Sequence, residues 1–266
     1  MTESDGTTKT VSRRRLLTTA GASVAALGAF PVVHQGADLA NPAIVGHRGV
    51  AGLEAPNTIA GVRLADELGA DGVALDVRRT VDGELVLFHD PVLDISTNAS
   101  GRVETTTAEE LADVRVDGEP IPTLREALGV VSGTELSLFL ELKKTGYTEE
   151  TLALVEEFGL VDRTTLTSFR IPALNTLDDP PVDRGFLAGA PHPDLFSEAR
   201  QAGSSLVLSH YVPYGLDWFV EKANRSEMDP GIWELASTEP HIEDALSFDI
   251  DLLITNRPDI ALEKRG

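Results

Sequence analysis

The chain of 266 residues contains no cysteine. That single absence excludes disulfide staples, thiolate nucleophiles and Cys-ligated zinc or iron–sulfur centres. Lysine is nearly as scarce: only Lys9, Lys143, Lys144, Lys222 and Lys264 stand among 22 basic residues. Aromatic residues make up 5%. No Gly-x-Gly-x-x-Gly opens a helical pattern, which argues against a dinucleotide-binding fold. The longest mildly apolar run, Leu16 to Phe30, is about fifteen residues, short of the roughly 20 that span a bilayer.

Acid is what the chain has in excess. Asp and Glu number 43, for a formal net charge of −21. A negative field of that strength repels phosphate backbones and excludes a nucleic-acid partner unless a local basic groove offsets it. Acidic residues spread along the whole length, with Arg far outnumbering Lys, fit a protein that works in very high salt. There the Debye length of about 3 Å screens self-repulsion.

Residues 1–40 read as an address separate from the fold. A polar start leads to Ser12-Arg13-Arg14-Arg15-Leu16-Leu17 and then the apolar run, the layout of a twin-arginine export signal. Export to the cell surface or beyond is the expectation. Membrane contact is expected only through this segment, if it is retained.

From residue 41 to 266 short β-branched runs alternate with amphipathic stretches, the pattern of a parallel sheet crossed by helices. Nine strand candidates are present, from Ala43–Gly46 to Leu252–Thr255. One of them, Leu85–His89, follows Gly72–Arg78 across Asp82-Gly83, too short a connection for a parallel crossover. Folding it back antiparallel leaves eight parallel strands, and eight favours a closed (β/α)8 TIM barrel. Residues 90–135 read as a loop-rich insertion capping one barrel end. A hairpin turn centred between residues 82 and 83 places Asp76 opposite His89.

Strand alternation puts Ala74, Asp76 and Arg78 on one face, and Glu141 with Lys143 on another strand's face. His47-Arg48-Gly49 follows the first strand directly. Two His, one Asp, one Glu, one Arg and one Lys thus end neighbouring strands at one rim, where sites of this fold lie. The set suits phosphodiester hydrolysis. Arg offers a bidentate fork, Lys a point charge, and two imidazoles a base and an acid. Carboxylates hold a hard cation through oxygen.

These residues resemble the glycerophosphodiester phosphodiesterase family, a phospholipase C-like phosphodiesterase barrel. The resemblance runs through His47-Arg48-Gly49, Asn57-Thr58, Leu75-Asp76-Val77, Thr80-Val81-Asp82-Gly83, His89-Asp90 and Glu141-Leu142-Lys143, and closes on Ile254-Thr255-Asn256-Arg257-Pro258-Asp259. It implies His47 and His89 as acid and base, Arg48 and Lys143 on phosphate, and Asp76 and Glu141 on a divalent metal, Mg2+ or Ca2+. Asn57 and Trp233 are further pocket candidates. The implied partner is a small phosphodiester, split into glycerol phosphate and an alcohol. Two positions depart from the family pattern. Ala74 and Pro56 stand where the family carries Glu, with Glu54 two residues before Pro56 as a candidate substitute ligand. Those departures leave two alternatives open: a barrel that binds phosphate esters without turnover, or a metal-independent phosphodiesterase with a cyclic phosphate product.

Overall fold

The computed structural model describes residues 41–234 and 238–265. The export-signal reading for residues 1–40 lies outside these residues.

Eight parallel strands close on themselves. In chain order they are β1 (Ala43–His47), β2 (Gly72–Arg79), β6 (Ser137–Leu142), β7 (Thr164–Ser168), β8 (Asp183–Ala188), β9 (Leu206–His210), β10 (Asp229–Glu234) and β11 (Leu252–Thr255). Each pairs with the next, and β1 pairs with both β2 and β11, which completes the ring. A short β3 (Leu85–Leu87) is antiparallel on β2, and β4 (Arg115–Val116) with β5 (Glu119–Pro120) forms a two-stranded hairpin in the insertion. The eight-strand barrel expected from the sequence is therefore the fold.

Period-two alternation sorts each strand into two cores. In β6 the residues Leu138, Leu140 and Leu142 face the helices, while Phe139 and Glu141 face the barrel axis. Phe139 joins Val45, Leu187, Leu208, Leu252 and Ile254 inside the barrel, and Ala74 packs against them. The larger apolar layer lies between strands and helices. Two helices that flank the site start on side-chain caps. Thr58 accepts from the Gly61 N–H at the start of α1 (Ile59–Glu67). Thr123 and Glu126 form a reciprocal capping box on α2 (Leu124–Val131), a device worth about 1 kcal/mol.

Two expectations need correction. The insertion does not extend to residue 135, because α2 is a regular barrel helix burying Leu124, Ala127, Leu128 and Val131. Gly129 and two adjacent Val residues weaken its helical pattern, but burial of that face outweighs propensity. The true insertion, residues 88–123, packs Phe88, Leu93, Val103, Leu111, Val114 and Val116 against Val86 and Ala55 at the rim. The hairpin register is also different. Val77 pairs with Leu87 and Arg78 with Val86, so Asp76 faces Phe88 and not His89. The loop holds three residues, Val81-Asp82-Gly83. Gly83 has φ +97°, and the Thr80 N–H donates to the Glu84 carbonyl at 2.9 Å. A three-residue loop closed by a left-handed glycine shifts every pair by one relative to a two-residue turn.

Candidate active site

The site is built where β1, β2 and β6 end. Parallel register places His47 beside Ala74 and Ala74 beside Phe139; one layer up, Asp76 lies beside Glu141. The chain leaves β1 through a tight loop that needs glycine at two positions. A Cβ on Gly46 would lie 1.9 Å from the Gly49 carbonyl oxygen, and Gly49 itself has φ +86°. Arg48 between them also has a positive φ, of 50°. This is a strained position for a long side chain, of the kind held only where the surroundings fix it.

Asp76 is the hub. Its Oδ1 lies 3.2 Å from Lys143 Nζ. Its Oδ2 accepts from Asn57 Nδ2 at 2.8 Å and lies 3.2 Å from Arg48 Nε. Asn57 returns the contact, accepting the Asp76 backbone N–H on Oδ1 at 3.0 Å. Lys143 donates also to Glu141 Oε1 at 2.6 Å. Burial alone would raise the Asp76 carboxyl, but Lys143 and Arg48 outweigh it and hold it well below the usual carboxylate range. Glu141 moves the other way: burial and the Asp76 charge push it up to about 7 against the pull of Lys143.

The two histidines flank this hub with different partners. His47 Nδ1 lies 2.6 Å from Asn256 Oδ1, a neutral acceptor just past β11. Burial and the Arg48 charge push its pKa down to about 4. His89 Nδ1 lies 2.8 Å from Asp90 Oδ1. Burial lowers its pKa as well, although the Asp76 charge opposes that. The register shift leaves His89 outside the β2–β3 ladder, and Arg78 holds it there. The Arg78 guanidinium donates to the His89 carbonyl from both Nε, at 2.9 Å, and Nη2.

Thus His47, His89, Arg48, Asp76, Glu141 and Lys143 converge, and Asn57 joins them as the residue that orients Asp76. Glu54 does not. Its side chain is exposed, and among the described residues no hydrogen bond or ion pair ties it to the hub. Trp233 lies farther round the rim at the end of β10. It meets Phe169 edge-on at 5.8 Å, lies tilted at 45° against His210 with ring centroids 4.2 Å apart and donates to the Ala188 carbonyl at 3.1 Å. Sequence reasoning assigned no roles to Asn256, Asp90 and Arg78. Asn256 and Asp90 sit inside the quoted motifs, so their partners could have been sought. Strand alternation puts Arg78 on the face of Asp76, but its bond to the His89 carbonyl follows only from the register.

Among the described residues no three His, Asp or Glu side chains group as a divalent ion requires. Both Asp76 oxygens are engaged, Glu141 Oε1 accepts from Lys143, and position 74 offers a methyl group. The residues present do not fit a divalent cation as they stand.

Comparison with known proteins agrees with the geometry. Residues 47–260 match the glycerophosphoryl diester phosphodiesterase family. A glycerophosphodiester phosphodiesterase of Caldanaerobacter subterraneus subsp. tengcongensis is 34% identical over 139 residues, 47% of this chain and 57% of that protein. The human glycerophosphodiester phosphodiesterase 1 is 35% identical over 109 residues, 37% of this chain and 33% of that one. The chain's match therefore spans about half the length, or less, of these curated relatives. A solved Oleispira antarctica phosphodiesterase in complex with the product sn-glycerol-3-phosphate superposes with TM-score 0.75 at 25% identity, covering 84% of this chain and 96% of that one. Enzymes of this family are generally dependent on a divalent metal.

Proposed function

This chain belongs to the glycerophosphoryl diester phosphodiesterase family, and from that premise we propose that it hydrolyses glycerophosphodiesters to glycerol phosphate and an alcohol. The observation that carries the reading is the convergence on Asp76 of Arg48 and Lys143 between two imidazoles.

The division of labour follows from hydrogen bonding. His47 donating Nδ1–H to Asn256 leaves Nε2 unprotonated, the form a general base needs. His89 donates to the Asp90 carboxylate, and that bond and the Asp76 charge favour the doubly protonated ring of a general acid against the burial that lowers its pKa. Water attacks phosphorus, and its proton passes to His47 Nε2. The bond from phosphorus to the alcohol oxygen breaks, and His89 protonates that oxygen. Arg48 and Lys143 stabilise the charge gathering on the other phosphoryl oxygens.

Ala74 and Pro56 favour a second reading, a barrel that binds phosphate esters without turning them over. Phosphorus NMR of glycerophosphodiesters incubated with the full chain in molar KCl separates the two. Glycerol phosphate appearing in proportion to enzyme supports hydrolysis, and substrate unchanged after long incubation sinks it. A five-membered cyclic phosphate as first product would instead identify the substrate's own hydroxyl as the nucleophile.

A further inference from the structure

Family membership and the donor set disagree, and the disagreement points one way. We propose that this barrel works without a divalent cation, the Lys143 ammonium occupying the place between Asp76 and Glu141 that a metal ion would need. The proposal rests on the hydrolytic reading above and refines it.

Three observations carry it. Lys143 is locked in position, with its side chain 10% exposed and its Nζ bridging Asp76 Oδ1 at 3.2 Å and Glu141 Oε1 at 2.6 Å. Two of its three N–H donors are spent on carboxylates, which leaves one for a phosphoryl oxygen. The layer beneath is apolar: Ala74 and Phe139 are register neighbours and pack with Val45 and Ile254 inside the barrel. An ion seated between Asp76 and Glu141 would face a methyl group and a phenyl ring on that side, where six oxygens in octahedral array are what Mg2+ demands. Two carboxylates meet Lys143 and Arg48, so a dication enters only by expelling a buried ammonium into a strongly acidic protein. With the ammonium in place, positive charge reaches the phosphate through N–H donors, and Asp76 and Glu141 serve to hold them.

Two measurements on the full chain in molar KCl test this, and they fail separately. In the first, phosphodiester turnover is followed after dialysis against chelator and again with millimolar Mg2+ or Ca2+. Rates within about twofold support the proposal. A drop of tenfold or more in chelator, restored by either ion, overturns it. Absence of turnover in every arm counts against the hydrolytic reading, and the second measurement then decides the cation question by itself. It is calorimetric titration of Mg2+ and of Ca2+ into the wild type and into Ala74→Glu. No saturable binding up to millimolar ion in the wild type supports the proposal, and binding gained only by Ala74→Glu strengthens it. Stoichiometric binding by the wild type that disappears in Asp76→Asn overturns it.

Discussion

Asn57 offers the sharpest test of how the site is held. It contributes no proton and no charge, yet both faces of its amide are committed to Asp76, at 2.8 and 3.0 Å. It is 2% exposed and sits at φ +60°, a left-handed conformation that Asn tolerates better than most residues. Asn57→Ala removes a hydrogen bond to an ionised group, worth about 1.5–3 kcal/mol. It also strands the buried Asp76 N–H, and adds about 1 kcal/mol of backbone strain. The contributions overlap, so the expected loss is about 3–5 kcal/mol. Asn57→Gly loses the same bonds without the strain and should be no less stable than the Ala variant. Chemical denaturation midpoints in molar KCl read both losses. Activity should fall in both variants, since an unanchored Asp76 no longer sets Lys143 and Arg48. A destabilisation by Asn57→Ala below about 1 kcal/mol, or an Ala variant clearly more stable than the Gly variant, would refute the reasoning.

Other consequences can be checked more simply. Replacing His47 or His89 by Ala should each lower kcat by about 10²-fold or more, read in steady-state kinetics, with the fold intact. Gly46→Ala should fail to fold or lose several kcal/mol, since its Cβ would meet the Gly49 carbonyl oxygen at 1.9 Å; circular dichroism against temperature reads this. Because the folded state holds His47 at about 4, below the ordinary 6.5, an unfolded chain takes up that proton first. The His47 contribution is therefore full above about pH 6.5 and declines by up to about 3 kcal/mol as pH falls towards 4. Glu141, raised to about 7, contributes a slope of opposite sign. The check is the stability difference between wild type and His47→Gln, which should change by that amount between pH 6.5 and 4. With a net charge of −21 the melting temperature should fall markedly between molar KCl and dilute buffer, and an unchanged melting curve would mean the acidity has another cause.

What could be read from the sequence and what could not divide along a physical line. Alternation inside single strands is local, so the inward faces of β2 and β6 were legible residue by residue. Asp76 and Glu141 both take the inward face that alternation assigns, and the parallel register, which alternation does not fix, sets them side by side. Loop geometry is less local. Asp82-Gly83 reads as a two-residue turn, yet Thr80 joins the loop by accepting the Glu84 N–H and bonding Asp82, and the register slips by one. A slip of that size normally sends a side chain to the opposite face. His89 escapes this because the ladder ends at Leu87 and its backbone is instead fixed by Arg78, whose guanidinium spans from the His89 carbonyl towards Glu104 at 3.6 Å. Insertion and hairpin are joined by that side chain. The geometry of the second imidazole therefore depends on a charged contact between elements that no periodicity encodes, and a register argument could reach the right neighbourhood for His89 only through the wrong pairing. Asn256 teaches the same lesson from the other end of the chain. It reaches His47 across 209 residues because β11 closes the barrel against β1. Its role becomes legible once closure is granted, and closure was itself inferred from a count of eight strands. The residues that carry charge could be found from their types and spacing; the residues that aim them could be found only from the ring.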